Sequence, residues 1–408
     1  MYHTPHDTTA SVALTAKTNA SFGDMRRDCI GATPQSSNPG QGAGRYPEEA
    51  YDRVTSHDPT LVPPKRRRRV GGLLTAALAL CGITIAACGG AKDSPSEPTT
   101  PTGPTTPSTP STPSSGVALN DDFSGRMLFP FDNWWNQDIS RAPLDGQSNA
   151  FIDYIGRTRT LHPDFGPPPY GIPYIAVGGG QTRMPITFVD YGSESDAGFR
   201  GENGYPIPTE ARTQPNYIEG GVPGGGSSGD RHLIVVDRDR WVLFELFATR
   251  WNNGRWEAGS GAVFDLNTNA RRPEGWTSAD AAGLAILPGL VRYEEAVSGR
   301  EIRHALRVTV RATNGYVWPA SHRAGSSSGA LPMGARLRLK ASKTISGYPA
   351  YIQRIFRAMQ TYGLIVADNG SDMYISGAMD GRWNNDELNP AFRSLTAGDF
   401  EVVQLGWR

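Results

Sequence analysis

The sequence predicts a mainly-β domain, an antiparallel β-sandwich or partly closed barrel with two or three short helices. Three observations predict it. Gly (48) and Pro (32) are abundant, which favours turns and short strands over long helices. Runs of alternating apolar and polar residues recur between positions 231 and 376, the period of a half-buried strand. All nine Trp lie after residue 130, so the globular part occupies the later portion of the 408-residue chain. The charges balance at 40 Lys+Arg against 40 Asp+Glu, so the strong basic field of a nucleic-acid binder is excluded.

The chain divides into four stretches. Residues 1–64 are polar and without periodicity, and read as non-globular sequence upstream of the true translation start. Cys29, His3, His6 and His57 fall there and are given no role. Residues 65–88, "KRRRRVGGLLTAALALCGITIAAC", follow as a signal peptide. Lys65 to Arg69 are basic, Val70 to Ala87 carry no charge, and small residues precede Cys88. Ile85-Ala86-Ala87-Cys88 resembles the lipobox of bacterial lipoproteins, cut by signal peptidase II before a lipidated cysteine. The competing reading is an ordinary transmembrane helix, and Cys81 is a poor rival because Leu80 precedes it. That resemblance implies export and a membrane anchor through acylated Cys88. Gly89 and Gly90 offer no aspartate to retain the protein at an inner membrane, so the outer membrane or cell surface is expected. The mature chain would keep only Cys88 and form no disulfide.

Residues 89–116 form a Pro/Thr/Ser-rich tether that cannot build a core, and its stretch from Ser94 to Ser115 reaches some 60–70 Å at about 3.1 Å per residue. Residues 117–408 are expected to be a single β-rich domain, and a monomer. Within it, "NAFIDYIGRT" is an amphipathic helix. "RHLIVVDRDRWVLFELFAT" predicts a hairpin turning at Asp237 to Arg240, and "EAGSGAVFDL" the third strand of a meander over 231–237, 241–249 and 257–266. "EIRHALRVTVRA" places Ile302, His304, Leu306, Val308 and Val310 on one face and Arg303, Arg307 and Arg311 on the other. "GARLRLKA" repeats the pattern, with Arg336, Arg338 and Lys340 outward. "YPAYIQRIFRAMQTYG" is a helix ending at Gly363, and "GLIVADNGSDMYISG" a hairpin about Asn369-Gly370. The ordered words "AGSGAVFDL", "GWTSADAAGL", "IRHALRVTV", "YVWPASH", "MGARLRLKA" and "GLIVADNG" resemble a domain recurring in secreted proteins of soil bacteria, over roughly 130–404. The resemblance implies export and one domain. It assigns no catalytic residue.

Motifs exclude several chemistries. The Gly-rich run "GGVPGGGSSGD" precedes a strand and is no nucleotide loop. "GSSSG" at 325–329 lacks the strand and helix of a nucleophile elbow. Asp265, Asn267 and Asn269 alternate as in a calcium loop, yet the Gly and Glu of that loop are missing, so a self-capping turn is expected and no metal or cofactor. Carboxylates and histidines remain. Glu245 sits in an apolar strand beside Leu243 and Phe247, where an unpaired charge is expensive. It is expected to pair with Asp265 by a shared proton, or with Arg231, Arg250 or His232. Asp280 is the second carboxylate, with a capping box from Thr277 as its bland reading. His304 lies on the apolar face of its strand, where a backbone-bonded core histidine competes with an acid/base role. The catalytic candidates are therefore Glu245, Asp265, Asp280 and His304. Trp276, Trp318, Trp383 and His322 lie in loops and are the candidates for contacting a sugar, or for sealing the domain's ends. A surface-displayed, glycan-active protein is expected, a carboxylate-based glycoside hydrolase in one reading. A non-catalytic glycan-binding or envelope-structural lipoprotein is the alternative.

Overall fold

The computed structural model describes residues 116–408, which are mainly sheet. The leader, Cys88 and residues 89–115 of the tether lie outside the described residues. One sheet runs β1 (Ala118–Leu119), β3 (Tyr174–Val177), β5 (Leu233–Asp237), β6 (Val242–Phe247), β9 (Ser260–Asp265). A second runs β14 (Phe400–Val402), β11 (Arg336–Leu339), β12 (Leu364–Asn369), β10 (Leu306–Val310), β13 (Tyr374–Ser376), β2 (His162–Asp164). A small third sheet joins β4 (Ile186–Phe188), β8 (Arg255–Ala258) and β7 (Arg250–Asn252). Five helices appear among the described residues: α1 (Ser148–Ile155), α2 (Glu210–Thr213), α3 (Tyr293–Val297), α4 (Ala350–Thr361) and α5 (Asn385–Arg393). The expected helices are α1 and α4. The other three are short or begin in polar sequence, which the pattern did not flag. None is long and apolar enough to cross a membrane.

The meander is present: β5, β6 and β9 pair antiparallel, with Ile234 opposite Glu245 and Glu245 opposite Ala262. A β7–β8 hairpin is inserted between β6 and β9 and joins the third sheet. Alternation sorts this sheet cleanly. Ile234, Val236, Leu243 and Phe264 enter the main core, while Leu233, Val235, Val242, Phe244 and Leu246 enter a second one. Burial of both faces explains the near-continuous apolar runs. The main core also takes in Leu306, Val308, Leu364 and Val366, so the two larger sheets share it.

Four expectations are corrected. The sheets are mixed rather than purely antiparallel: β3–β5, β10–β12, β13–β2 and β4–β8 are parallel. The Asn369-Gly370 turn does not make a hairpin, because β10 lies between β12 and β13 and pairs with both. Gly370 N–H to Val310 O (3.0 Å) and Met373 N–H to Thr309 O (3.0 Å) lead the chain over the end of β10. A fully buried strand needs partners on both edges, and that requirement outweighs the local turn signal. Arg307, Arg336 and Arg338 are buried rather than outward. Chain segments cover the face they occupy, and Arg338 donates to the carbonyls of Ile139 and Ala142 (3.0 Å for the latter). No helix starts at Thr277; its hydroxyl donates to the Asp280 carbonyl (3.2 Å), and the Asp280 side chain turns elsewhere.

Candidate functional site

Glu245 points into the main core, on the face of β6 shared with Leu243 and Phe247. Opposite it runs a buried apolar segment, Leu284 to Val291, which belongs to no strand. Backbone N–H groups in such a segment need acceptors. Glu245 supplies them, accepting the N–H of Ile286 and of Leu287 at 2.9 Å. Burial pushes its carboxyl up to about 7, while the Leu287 and Ile286 donors pull it back. The expected pairing with Asp265 is absent. In register Asp265 stands opposite Val242, and it bonds Arg200 at 2.8 Å near the surface. Arg231 bonds the Gly229 and Ala248 carbonyls, and Arg250 pairs with Glu257 (2.8 Å). Glu245 is thus an internal anchor for the 286–287 backbone.

The segment it anchors begins at a different kind of place. Just upstream, Asp280 meets Arg307 of β10 through both oxygens (2.8 and 3.0 Å). Arg307 also donates to Asp368 at the end of β12 (3.0 Å) and to the Ser376 hydroxyl (2.6 Å). Burial works against that guanidinium, and Asp280 and Asp368 outweigh it, holding it well above its usual range. Ser376 is the cross-strand partner of Asp164, the last residue of β2. Asp164, Ser376 and Arg307 therefore lie side by side across β2, β13 and β10.

The first sheet contributes His232, one residue before β5. Its Nδ1 lies 2.7 Å from a Glu219 oxygen and its Nε2 3.1 Å from the Ala279 carbonyl. Backbone bonds in both directions lock the pair: His232 N–H to the Glu219 carboxylate (3.2 Å) and Glu219 N–H to His232 O (3.0 Å). Burial pushes the imidazole down, but the Glu219 charge outweighs this and raises it to about 9. Glu219 is held low by the same pairing, against the pull of burial. Asp230 completes the group; crowding raises its carboxyl, and the charge of Glu219 adds to the rise.

Asp164 is the exposed last residue of β2, within range of the charges of Glu219, Asp230 and Arg307. Crowding first, then the charges of Glu219 and Asp230, raises it to about 6, with Arg307 opposing. Asp368 is raised to about 7, again by crowding, with Arg307 opposing. The constellation is a cluster of carboxyl groups around Arg307 and His232, with Asp164, Asp230 and Asp368 raised and Glu219 held low, a division of the kind that separates acids from bases. Ligand atoms of Glu219, Asp230 and His232 lie within 4.8 Å of one another, the one metal-like grouping among the described residues. Both ring nitrogens of His232 are already engaged, and its imidazolium supplies the positive charge there. The grouping reads as an ion pair.

Of the sequence candidates, Asp280 joins this cleft as the buried partner of Arg307. Glu245 lies behind it and Asp265 outside it. His304 forms a separate pair, with Nε2 3.0 Å from Glu295 and Nδ1 2.8 Å from the Ala305 carbonyl. Trp383 is no platform. It is buried against Phe165 and Tyr293 and donates to the Ala378 carbonyl at 2.9 Å. Trp318 is half-buried, edge-on to Trp134. Trp276 is half-buried beside Arg272. His322 bonds the Ala281 carbonyl (2.8 Å) and lines a pocket of about 400 Å³ with Gly275, Tyr316 and Arg323. Asn267 closes the turn after β9 by donating to Asp265 (3.0 Å), whereas Asn269 takes no part in it and donates to Asp132 (2.9 Å).

Asp164, Glu219, Asp230, Arg307 and Asp368 were not singled out as site residues, and His232 only as a partner for Glu245. A signal existed for Arg307, a lone charge in an apolar strand like Glu245. No family model, curated protein or solved structure matches the chain.

Proposed function

We propose that the protein is an exported, lipid-anchored glycan hydrolase whose reaction runs in the Asp164–Glu219–Asp230–Asp368 cleft. In this reading Asp164 is the proton donor to the departing sugar oxygen, and Glu219, kept ionised by His232, is its basic partner. What carries the reading is the gathering of carboxyl groups about Arg307 and the His232–Glu219–Asp230 group, with Asp164 raised to about 6 and Glu219 held low. Glycoside hydrolysis needs such a divided pair. Arg307, fixed by Asp280, holds Asp368 and Ser376 in place. The lipobox-like Cys88 and the tether fit display outside the cell, where polymeric glycans are met. In the same reading the two larger sheets pack as a sandwich across the 276–291 segment.

The test is a pH–rate profile on a polysaccharide panel. Activity should be highest in mild acid and fall as pH rises through about 6, because the donor loses its proton. Asp164→Asn should lower turnover by about 10²–10⁴-fold. An alkaline optimum, or an Asn variant of unchanged turnover, would overturn the assignment.

A further inference from the structure

The pocket lined by Gly275, Tyr316, His322 and Arg323 has no part in the acid/base arrangement. Two loops build it, and they are clamped together. Gly275 N–H donates to Ser321 O (2.7 Å), Ser321 N–H to Ala282 O (3.0 Å), and the Ser321 hydroxyl to Trp276 O (2.9 Å). Gly283 permits this approach, since a Cβ there would meet the Ser321 hydroxyl at 2.1 Å. On the second loop, Gly315 N–H to Gly325 O (3.0 Å) closes the chain behind Tyr316 and Arg323.

Charge is the informative feature. Arg323 is exposed and has no ion-pair partner among the described residues. Glu274 sits against the Tyr316 hydroxyl, and Arg271 already neutralises it at 3.0 Å. The pocket thus presents an uncompensated guanidinium beside a phenol and an imidazole ring, a set suited to a carboxylate. The ring of His322 is oriented by its bond to Ala281 O.

The loops of the pocket touch residues next to Asp280 and Asp368. Ala281, which receives His322, follows Asp280, the partner of Arg307. The Ala324 carbonyl, next to Arg323, accepts the side chain of Asn369 (3.2 Å), next to Asp368.

We propose that this pocket is a binding subsite for a carboxylate-bearing sugar unit, so that the polymer recognised is an acidic glycan containing uronic acid. The assignment of a polymer rests on the glycan reading above; binding of the sugar acid does not require turnover. The experiment titrates glucuronate and, separately, glucose into the full chain, its Arg323→Ala variant and its Asp164→Asn variant, followed by calorimetry. Glucuronate should bind saturably to the wild type and to Asp164→Asn alike, with glucose at least tenfold weaker. Arg323→Ala should lose at least tenfold in glucuronate affinity with an unchanged melting temperature. Equal binding of glucose and glucuronate, or undiminished glucuronate binding by Arg323→Ala, would overturn the subsite. If glucuronate binds as described while the wild type cleaves no polysaccharide, the subsite stands and the hydrolase reading falls.

Discussion

Replacing Glu245 by Gln removes a charge while leaving an oxygen that can accept the Ile286 and Leu287 N–H groups. Burial raises the folded-state carboxyl from an ordinary 4.5 to about 7. The folded protein therefore holds this proton more tightly than the unfolded chain does. The stabilisation is fully present below about 4.5 and is lost as pH rises through about 7. Each pH unit of difference corresponds to about 1.4 kcal/mol, so the effect is capped at about 3.5 kcal/mol and amounts to about 2.5 kcal/mol between pH 5 and 8. The assay is urea unfolding of wild type and Glu245→Gln at both pH values. Other titrating groups are common to the two proteins and largely cancel in the difference. Wild type should lose about 2–3 kcal/mol more than the variant on going to pH 8. Equal pH dependence would refute the argument. Glu245→Ala should be much worse, about 3–5 kcal/mol at pH 5, because two buried donors lose their acceptor and a cavity opens.

Two other outcomes follow from where the residues lie. Trp383→Ala should cost about 3–5 kcal/mol of stability, since the ring is buried among Phe165, Tyr293 and Tyr351, whereas a sugar platform would lose ligand affinity and keep its melting temperature. Cys88→Ser should abolish acyl labelling and leave an uncleaved precursor on a gel; a variant processed like wild type would remove the lipid anchor.

Sequence reading located much of this fold and little of its cleft, for physical reasons. The two faces of β6 were legible because alternation within six residues is a local property: Val242, Phe244 and Leu246 do separate from Leu243 and Phe247. The oddity of Glu245 was legible too. Its partner was not, because the partner is backbone forty-one residues away. Arg307, Arg336 and Arg338 were misplaced for a related reason: a period of two tells which residues share a face, not whether that face is covered. The Asn369-Gly370 hairpin failed because a turn signal carries no knowledge of the free edge of β10. Asp164, Glu219, Asp230 and Asp368 come from strand ends and loops spread between positions 164 and 368, and no spacing rule joins them. Asp280 was found, as a catalytic candidate with a helix cap as its competing reading; its carboxylate proved to be the mate of Arg307.

The central claim is that chemistry belongs to the cleft and that Glu245 only supports the backbone behind it. The direct measurement is turnover on the polysaccharide panel by wild type, Asp164→Asn and Glu245→Gln, side by side near pH 5.5, between the ordinary carboxylate range and the Asp164 value of about 6. The account predicts a loss of about 10²–10⁴-fold for Asp164→Asn, with Glu245→Gln within a few-fold of wild type. A Glu245→Gln protein that folds normally but is inactive, beside a fully active Asp164→Asn protein, would contradict it.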